Sequence, residues 1–136
     1  MLLLDTHIWI WWINQTPKRL PGKIIKQIEK AEIIAISAIS CFEVTWLADH
    51  KKILLEIPVQ QWIAQATDDA GIICLPVSCK IASLAAALPE RHKDPQDRII
   101  IATAICHTSQ LISADSQFSE YQEIKEFLMK KIYFQP

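Results

Sequence analysis

Two short apolar runs in this chain of 136 residues are each followed within three residues by an aspartate, and this pattern restricts the possible folds. Residues 2–4 are three consecutive leucines followed by Asp5, and residues 111–112 lead through two small residues to Asp115. Neither run alternates apolar with polar residues, which is typical of parallel strands that are covered on both faces. The carboxyl ends of parallel strands share one edge of a sheet. We therefore expect Asp5 and Asp115 to lie at that edge.

Two more acids are predicted in helices that open at the same edge. Residues 33–37 predict another buried strand, and Ser40 with Glu43 three residues later fits a capping box at the start of the next helix. Asp94 followed by Pro95 predicts a further helix start, with Asp97 in its first turn. A cap is a simpler explanation for each acid taken singly. A shared position at the carboxyl edge is the alternative, and it would bring all of them together.

Four carboxylates at one sheet edge repel one another unless a cation neutralises them. Hard divalent ions prefer oxygen ligands, and Mg²⁺ or Mn²⁺ suits a few carboxylates plus waters, with positions left for a phosphate. Such a site can activate water and stabilise a phosphate under in-line attack. The pattern therefore predicts a Mg²⁺ or Mn²⁺ site for phosphodiester hydrolysis, whose ligands and catalytic residues are Asp5, Glu43, Asp97 and Asp115.

Length, cysteine spacing and net charge restrict the class of protein. The length predicts a single domain over residues 1–136, and the apolar run 8–13 is too short to span a bilayer. The four cysteines show no zinc-binding spacing, and the N-terminus resembles no export signal, so we expect reduced, mostly buried thiols in a cytoplasmic protein without a membrane span. The formal net charge of −1 means that any contact with nucleic acid must be local, weak or assisted by a metal.

The run 8–13, Ile-Trp-Ile-Trp-Trp-Ile, predicts a helix that is apolar on every side. Such a helix is either fully internal or covered on one face by a partner subunit. If a partner covers it, the anchors would be Trp9, Trp11, Trp12 and, from a later helix, Trp46.

Four stretches resemble, in order and spacing, the PIN-domain ribonucleases of the VapC toxin type. They are Leu2-Leu3-Leu4-Asp5-Thr6-His7, Ile36-Ser37-Ala38 through Ser40-Cys41-Phe42-Glu43, His92-Lys93-Asp94-Pro95-Gln96-Asp97-Arg98 and Ser113-Ala114-Asp115-Ser116-Gln117-Phe118. The resemblance implies an α/β fold of three layers, α/β/α, around a central parallel sheet. It also implies a metal-dependent endoribonuclease that acts as the toxin of a type II toxin–antitoxin system.

Carried over by position, the resemblance makes Asp5, Glu43 and Asp97 the three central acids and Asp115 a more variable fourth. We assign Asp94 a capping role. Residues expected at the substrate are the small hydroxyl residue beside the metal site and three basic residues that would contact RNA phosphates: Ser113, Arg91, Lys93 and Arg98. The implied partners are an RNA substrate, a second copy of the chain, and a small antitoxin protein whose segment inhibits the site. We expect the RNA to be single-stranded or looped, because a near-neutral chain with one acidic crevice lacks a broad basic track for duplex DNA.

The resemblance has two departures and two rivals. The pair before the glutamate is Cys41-Phe42 instead of a bulkier pair, and the tail from Glu120 looks longer than is typical. A phosphorelay receiver-like magnesium-binding domain has a similar length, but it needs adjacent acids after the first strand, where this chain has Asp5-Thr6-His7. A non-catalytic PIN-like protein-binding module is harder to exclude, although all four acids are present.

Overall fold

The computed structural model describes residues 1–16, 20–89 and 94–113. Its strands are β1 (Leu2–Leu4), β2 (Ile34–Ser37), β3 (Ile73–Leu75) and β4 (Gln110–Ile112). Its α-helices in these ranges are α1 (Thr6–Ile13), α2 (Gly22–Lys30), α3 (Ala38–Asp49), α4 (Val59–Ala64), α5 (Cys79–Ala87) and α6 (Pro95–Cys106), and a π-helical segment, Gln65–Asp69, continues α4. Asp115 and the tail from Glu120 lie outside the described residues.

The four strands form one parallel sheet in the order β3-β2-β1-β4. The chain adds β2 and β3 on one side of β1 and then returns to place β4 on the other side. The carboxyl ends of β1 and β4 therefore flank the point where the strand order reverses, which is where ligands bind in open α/β sheets. Leu4 pairs with Ile112 there, so the residues that follow the two strands emerge side by side.

Successive side chains of β1 enter two separate cores, because neighbouring residues of a strand point to opposite faces. Leu2 and Leu4 pack in one core with Ile8 of α1, whereas Leu3 packs in the other with Ile101 of α6. Leu3 and Leu4 are completely buried, and each such burial stabilises the fold by about 2 kcal/mol. Cores on both faces confirm the predicted three-layer α/β/α arrangement around a parallel sheet.

The apolar helix α1 is internal on one face only. Trp9 is completely buried, and its indole N–H donates to the carbonyl of Ala66 at 2.9 Å. Its ring also meets Trp62 edge to face at a centroid distance of 4.9 Å. The prediction that Trp9 anchors a partner is therefore wrong, because the tryptophan is part of this chain's own core. Trp11 and Trp12 are half-buried and line a groove of about 520 Å³.

The start of α3 differs from the prediction. The cap is Ser37, whose hydroxyl accepts from the amide of Ile39 at 3.2 Å, so Ser40 already lies within the helix. The predicted capping box between Ser40 and Glu43 is wrong, and Glu43 lies in the second helical turn. The physical reason is that β2 ends at Ser37 and the helix follows without a loop. Ser40 is buried and bonds to α1 instead of to its own backbone.

The cysteines are all free thiols, as expected, but they are not mostly buried. Cys74 and Cys79 are exposed, while Cys41 and Cys106 are half-buried. Burial raises the pKa of the Cys41 thiol to about 12, with a further contribution from Cys74, whose sulfur lies 4.0 Å away. None of the helices in the described ranges is long and apolar enough to cross a membrane.

Candidate active site

Asp5 occupies the junction between β1 and α1 and does two things there. One carboxylate oxygen caps α1 by accepting from the amide of Ile8 at 2.9 Å. The other accepts from the hydroxyl of Ser113, just beyond β4, at 2.7 Å. Because two bonds on opposite oxygens restrict rotation of the carboxylate, Asp5 is held in a defined orientation at the carboxyl edge. The cap and the edge position, which the sequence left as alternatives, are both present.

Glu43 lies on α3, half-buried, within electrostatic reach of Asp5. Burial is the main cause that raises the pKa of its carboxyl, and the negative charges of Asp94 and Asp5 raise it further. A hydrogen bond from Thr6 and the charge of His7 act in the opposite direction. Asp94 and Asp5 are therefore both near enough for their charges to act on Glu43.

Helix α6 begins where the sequence predicts, directly after Asp94. Asp94 is the cap, and its carboxylate accepts from the amide of Gln96 at 2.9 Å, with Pro95 in the first turn. Its electrostatic effect on Glu43 was not anticipated, because only its capping role was expected. Asp97 lies half-buried in the same first turn, three residues after Asp94. Within residues 1–16, 20–89 and 94–113, no three His, Cys, Asp or Glu side chains are grouped as a metal site would require.

The residues at this edge nevertheless suit a hard divalent cation. Mg²⁺ is commonly bound through one or two carboxylates, with waters and substrate phosphate completing its shell. Asp5 and Glu43 would provide two carboxylates, and burial together with the charges of Asp94 and Asp5 raises the pKa of Glu43 and so disfavours its negative charge. A cation at this edge would offset that repulsion.

Arg98, predicted to contact phosphate, makes its described hydrogen bonds to the end of α5. Its guanidinium donates to the carbonyls of Ala85, Ala86, Leu88 and Pro89 at 2.7–3.1 Å. The last carbonyls of a helix lack partners within the helix and carry partial negative charge, so a guanidinium is well suited to cap them. This capping role does not follow from the sequence, because the four acceptors lie 9 to 13 residues earlier in the chain.

We expect Arg98→Lys to lower the stability of the protein by roughly 1–3 kcal/mol. Lysine keeps the positive charge, but a single ammonium cannot reproduce the planar fork of donors that reaches four carbonyls. Thermal unfolding together with RNA binding at low salt checks this. A variant with unchanged melting temperature and weakened RNA binding would show that the main role of Arg98 is the phosphate contact.

Thr6 and Ser40, neighbours in the chain of two of the predicted acids, form a buried hydroxyl pair that the sequence did not predict. The hydroxyl groups of Thr6 and Ser40 are 2.9 Å apart, and both residues are buried. Their positions offer a signal in retrospect, since Thr6 follows Asp5 and Ser40 precedes Glu43 by one helical turn. Among the predicted phosphate contacts, Arg91 and Lys93 lie outside the described residues.

This protein is of the α/β/α class, with a parallel sheet and with carboxylates near the point where the strand order reverses. Proteins of this class can carry an acidic site at the carboxyl edge of the sheet. A family model described as PIN domain matches residues 2–124. Ribonuclease VapC22 of Mycobacterium tuberculosis (strain ATCC 25618 / H37Rv) is 38% identical over 122 residues, which is 89% of this chain and 92% of that protein. This chain therefore belongs to the PIN domain family, and its resemblance to the VapC type is confirmed.

Solved structures support the fold. A toxin–antitoxin complex from Klebsiella pneumoniae matches with a TM-score of 0.59 and 24% identity, over 86% of this chain and 88% of that one. VapBC2 from Rickettsia felis, bound to a DNA fragment from their promoter, matches with a TM-score of 0.64 and 18% identity, over 91% and 96% of the two chains. The family match also argues against the receiver-domain alternative.

Proposed function

We propose that this protein is a Mg²⁺- or Mn²⁺-dependent endoribonuclease and the toxin of a type II toxin–antitoxin system. The observation that carries the proposal is the position of Asp5 where the strand order of the sheet reverses, bonded to Ser113 beyond the neighbouring strand. Glu43 on α3 lies near enough for the charge of Asp5 to raise its pKa. The relative that is 38% identical is named a ribonuclease, which supports RNA as the substrate class.

The proposed metal ligands and catalytic residues are the four predicted acids, Asp5, Glu43, Asp97 and Asp115. Asp97 shares the first turn of α6 with Asp94, and α6 packs against α3, which supports a position near Glu43. When bound, a divalent cation would supply positive charge that stabilises the phosphate under attack. The protein contributes ligands held in fixed orientations, since Asp5 is restrained through both of its carboxylate oxygens.

The proposed substrate contacts are those predicted from the sequence, except that Arg98 is given a different role. Arg91 and Lys93, in the segment before Asp94, are assigned to RNA phosphates. Ser113 is assigned a place beside the metal site, supported by its hydrogen bond to Asp5. Arg98 is better assigned to the end of α5 than to phosphate, because its described donors already reach carbonyls there.

The proposed protein partners are a small antitoxin and a second copy of the chain. One solved structure with this fold is described as a toxin–antitoxin complex, and this supports an antitoxin partner. Another is described as VapBC2 bound to a DNA fragment from their promoter. The groove lined by Trp11 and Trp12 offers an apolar surface for one partner, and Trp46, which is 44% exposed, offers another. We propose that the protein acts in the cytoplasm, where its RNA substrate is found.

The decisive experiment is cleavage of one single-stranded RNA and of a DNA with the same sequence by the purified protein. We expect cleavage of RNA with Mg²⁺ or Mn²⁺, no cleavage with EDTA, and recovery of activity when metal is returned in excess. Cleavage that survives exhaustive chelation would contradict the proposal, as would cleavage of DNA alone. A protein that binds its antitoxin but cuts no RNA would favour the alternative of a non-catalytic binding module.

A further inference from the structure

Two cysteine thiols, one on α3 and one on the edge strand β3, lie next to each other. The sulfur atoms of Cys41 and Cys74 are 4.0 Å apart, although 33 positions separate the two residues in the chain. Cys41 is half-buried near the start of α3, and Cys74 is exposed in the middle of β3. Reagents in solution can therefore reach the pair through Cys74.

Both sulfur atoms lie on the same face of the sheet. Leu75 packs in the core that contains Leu3, so Cys74, its neighbour in β3, points to the opposite face. The residue that pairs with Cys74 in the sheet, Ile36, is buried in the core on that opposite face, and Cys41 packs against the same core. Because one cysteine belongs to a helix and the other to a strand, the backbone hydrogen bonds of both elements hold the thiols side by side.

The distance between the sulfur atoms is short enough for a disulfide to form. The sulfur–sulfur bond is about 2.0 Å long, so the two atoms must approach by roughly half of their present separation. A cysteine sulfur turns about one side-chain torsion, and rotation between staggered positions displaces it by a comparable amount. The exposure of Cys74 leaves room for that rotation. The bond can therefore form in the folded protein.

Hydrogen peroxide is an oxidant of the class that this reaction needs. The sulfur of Cys74 attacks one peroxide oxygen, the O–O bond breaks, and the other oxygen leaves as water with the thiol proton, so that Cys74 becomes a sulfenic acid. The sulfur of Cys41 then attacks the sulfur of Cys74, and the hydroxyl group leaves as water with the proton of Cys41. Burial raises the pKa of the Cys41 thiol and slows this second step, but a sulfur held 4.0 Å from its target reacts at a high effective concentration. Two thiols are oxidised to one disulfide, and one peroxide is reduced to water.

We propose that Cys41 and Cys74 form an oxidation site, at which a hydroperoxide closes a disulfide between α3 and β3 and a small thiol compound opens it again. Two molecules of that thiol reverse the reaction by exchange and leave as their own disulfide. The proposal goes beyond the proposed function, because neither the metal nor RNA takes part. Both cysteines are free thiols here, which fits a bond that forms transiently. The closed bond joins positions 33 residues apart, so it restricts the unfolded chain and stabilises the fold.

The test treats the reduced protein with hydrogen peroxide in EDTA and maps the product by mass spectrometry under non-reducing conditions. We expect the loss of two hydrogen atoms per chain, a linked pair of peptides that contain Cys41 and Cys74, and recovery of both thiols with dithiothreitol. The melting temperature of the oxidised protein should exceed that of the reduced protein by roughly 5–15 °C.

Cys74→Ser and Cys79→Ser form a matched pair of variants, because Cys79 is also exposed and follows Cys74 closely in the chain. Cys79→Ser should keep both the disulfide and the rise in melting temperature, whereas Cys74→Ser should lose both. Cys41→Ser should also lose both. In that variant Cys74 has no neighbouring thiol to complete the reaction, so its sulfenic acid should accumulate and be labelled by dimedone.

The peptide map of the wild type decides the proposal even if a serine variant fails to fold. Four thiols that survive peroxide, a bond from Cys74 to Cys79, or linkage only between chains would each overturn it. A disulfide between Cys41 and Cys74 that leaves the melting temperature unchanged would overturn its stabilising effect. None of these measurements uses RNA cleavage, so their failure is distinct from a failure of the proposed function.

Discussion

Glu43→Gln is expected to abolish RNA cleavage and, at neutral pH without metal, to make the protein more stable. The activity should fall by roughly three orders of magnitude, equivalent to about 4 kcal/mol of transition-state stabilisation, because an anionic ligand is lost. The stability should rise because burial and the charges of Asp94 and Asp5 disfavour the ionised carboxyl in the folded state. Glutamine has nearly the same shape and carries no charge.

The raised pKa of Glu43 fixes the direction in which this residue makes stability change with pH. The pKa of Glu43 is raised by folding, so the folded protein binds the proton more tightly than the unfolded chain. The contribution of Glu43 to the free energy of unfolding of the wild type must therefore fall as pH rises from the ordinary glutamate pKa through the raised value. Below that interval the carboxyl is protonated in both states, and this cost disappears. The stability advantage of Glu43→Gln should accordingly be present at neutral pH and shrink in acid.

Melting temperatures in EDTA across this pH range, together with RNA cleavage rates at saturating Mn²⁺, measure both effects. Glu56→Gln is the matched control, because Glu56 is exposed and lies on the segment before α4. It should change neither quantity appreciably. A Glu43→Gln protein that is less stable than the wild type at neutral pH would contradict the electrostatic argument. One that cleaves RNA normally would remove Glu43 from the site.

Asp5→Asn is expected to lose activity to a similar degree while changing stability by less than about 1 kcal/mol. The amide oxygen of asparagine can still cap α1, because asparagine is as good a cap as aspartate. Its amide N–H can donate to Ser113, whose hydroxyl accepts as well as donates. The fold therefore keeps both contacts, and the negative charge alone is lost.

Asp5→Ala separates the structural from the chemical role of this residue. Alanine loses the cap on Ile8, worth about 1 kcal/mol, and the acceptor for Ser113, worth about another 1 kcal/mol. Both variants should be inactive, but only Asp5→Ala should melt clearly below the wild type in EDTA. The measurements are thermal unfolding without metal and RNA cleavage with Mn²⁺. An active Asp5→Asn protein would show that Asp5 serves only as a helix cap.

The class of fold and the positions of the two strands that flank the site can be predicted from the sequence. The leucine run that ends at Asp5 predicts a doubly covered strand, because side chains on both faces of a parallel strand must be apolar. Asp94 and Pro95 predict the start of α6 correctly, since capping is chemistry between neighbouring residues. These features depend on interactions over a few positions of the chain, which a sequence displays directly.

Contacts between side chains that are far apart in the chain depend on how the helices and strands pack. Thr6 and Ser40 are 34 residues apart, and Arg98 reaches a carbonyl 13 residues earlier, so neither contact follows from spacing. Ser40, expected as a helix cap, is buried between α3 and α1 and hydrogen-bonds to Thr6. Trp9, expected at a partner surface, is buried in this chain's own core. Polar groups that folding buries must find partners wherever the packed helices place them.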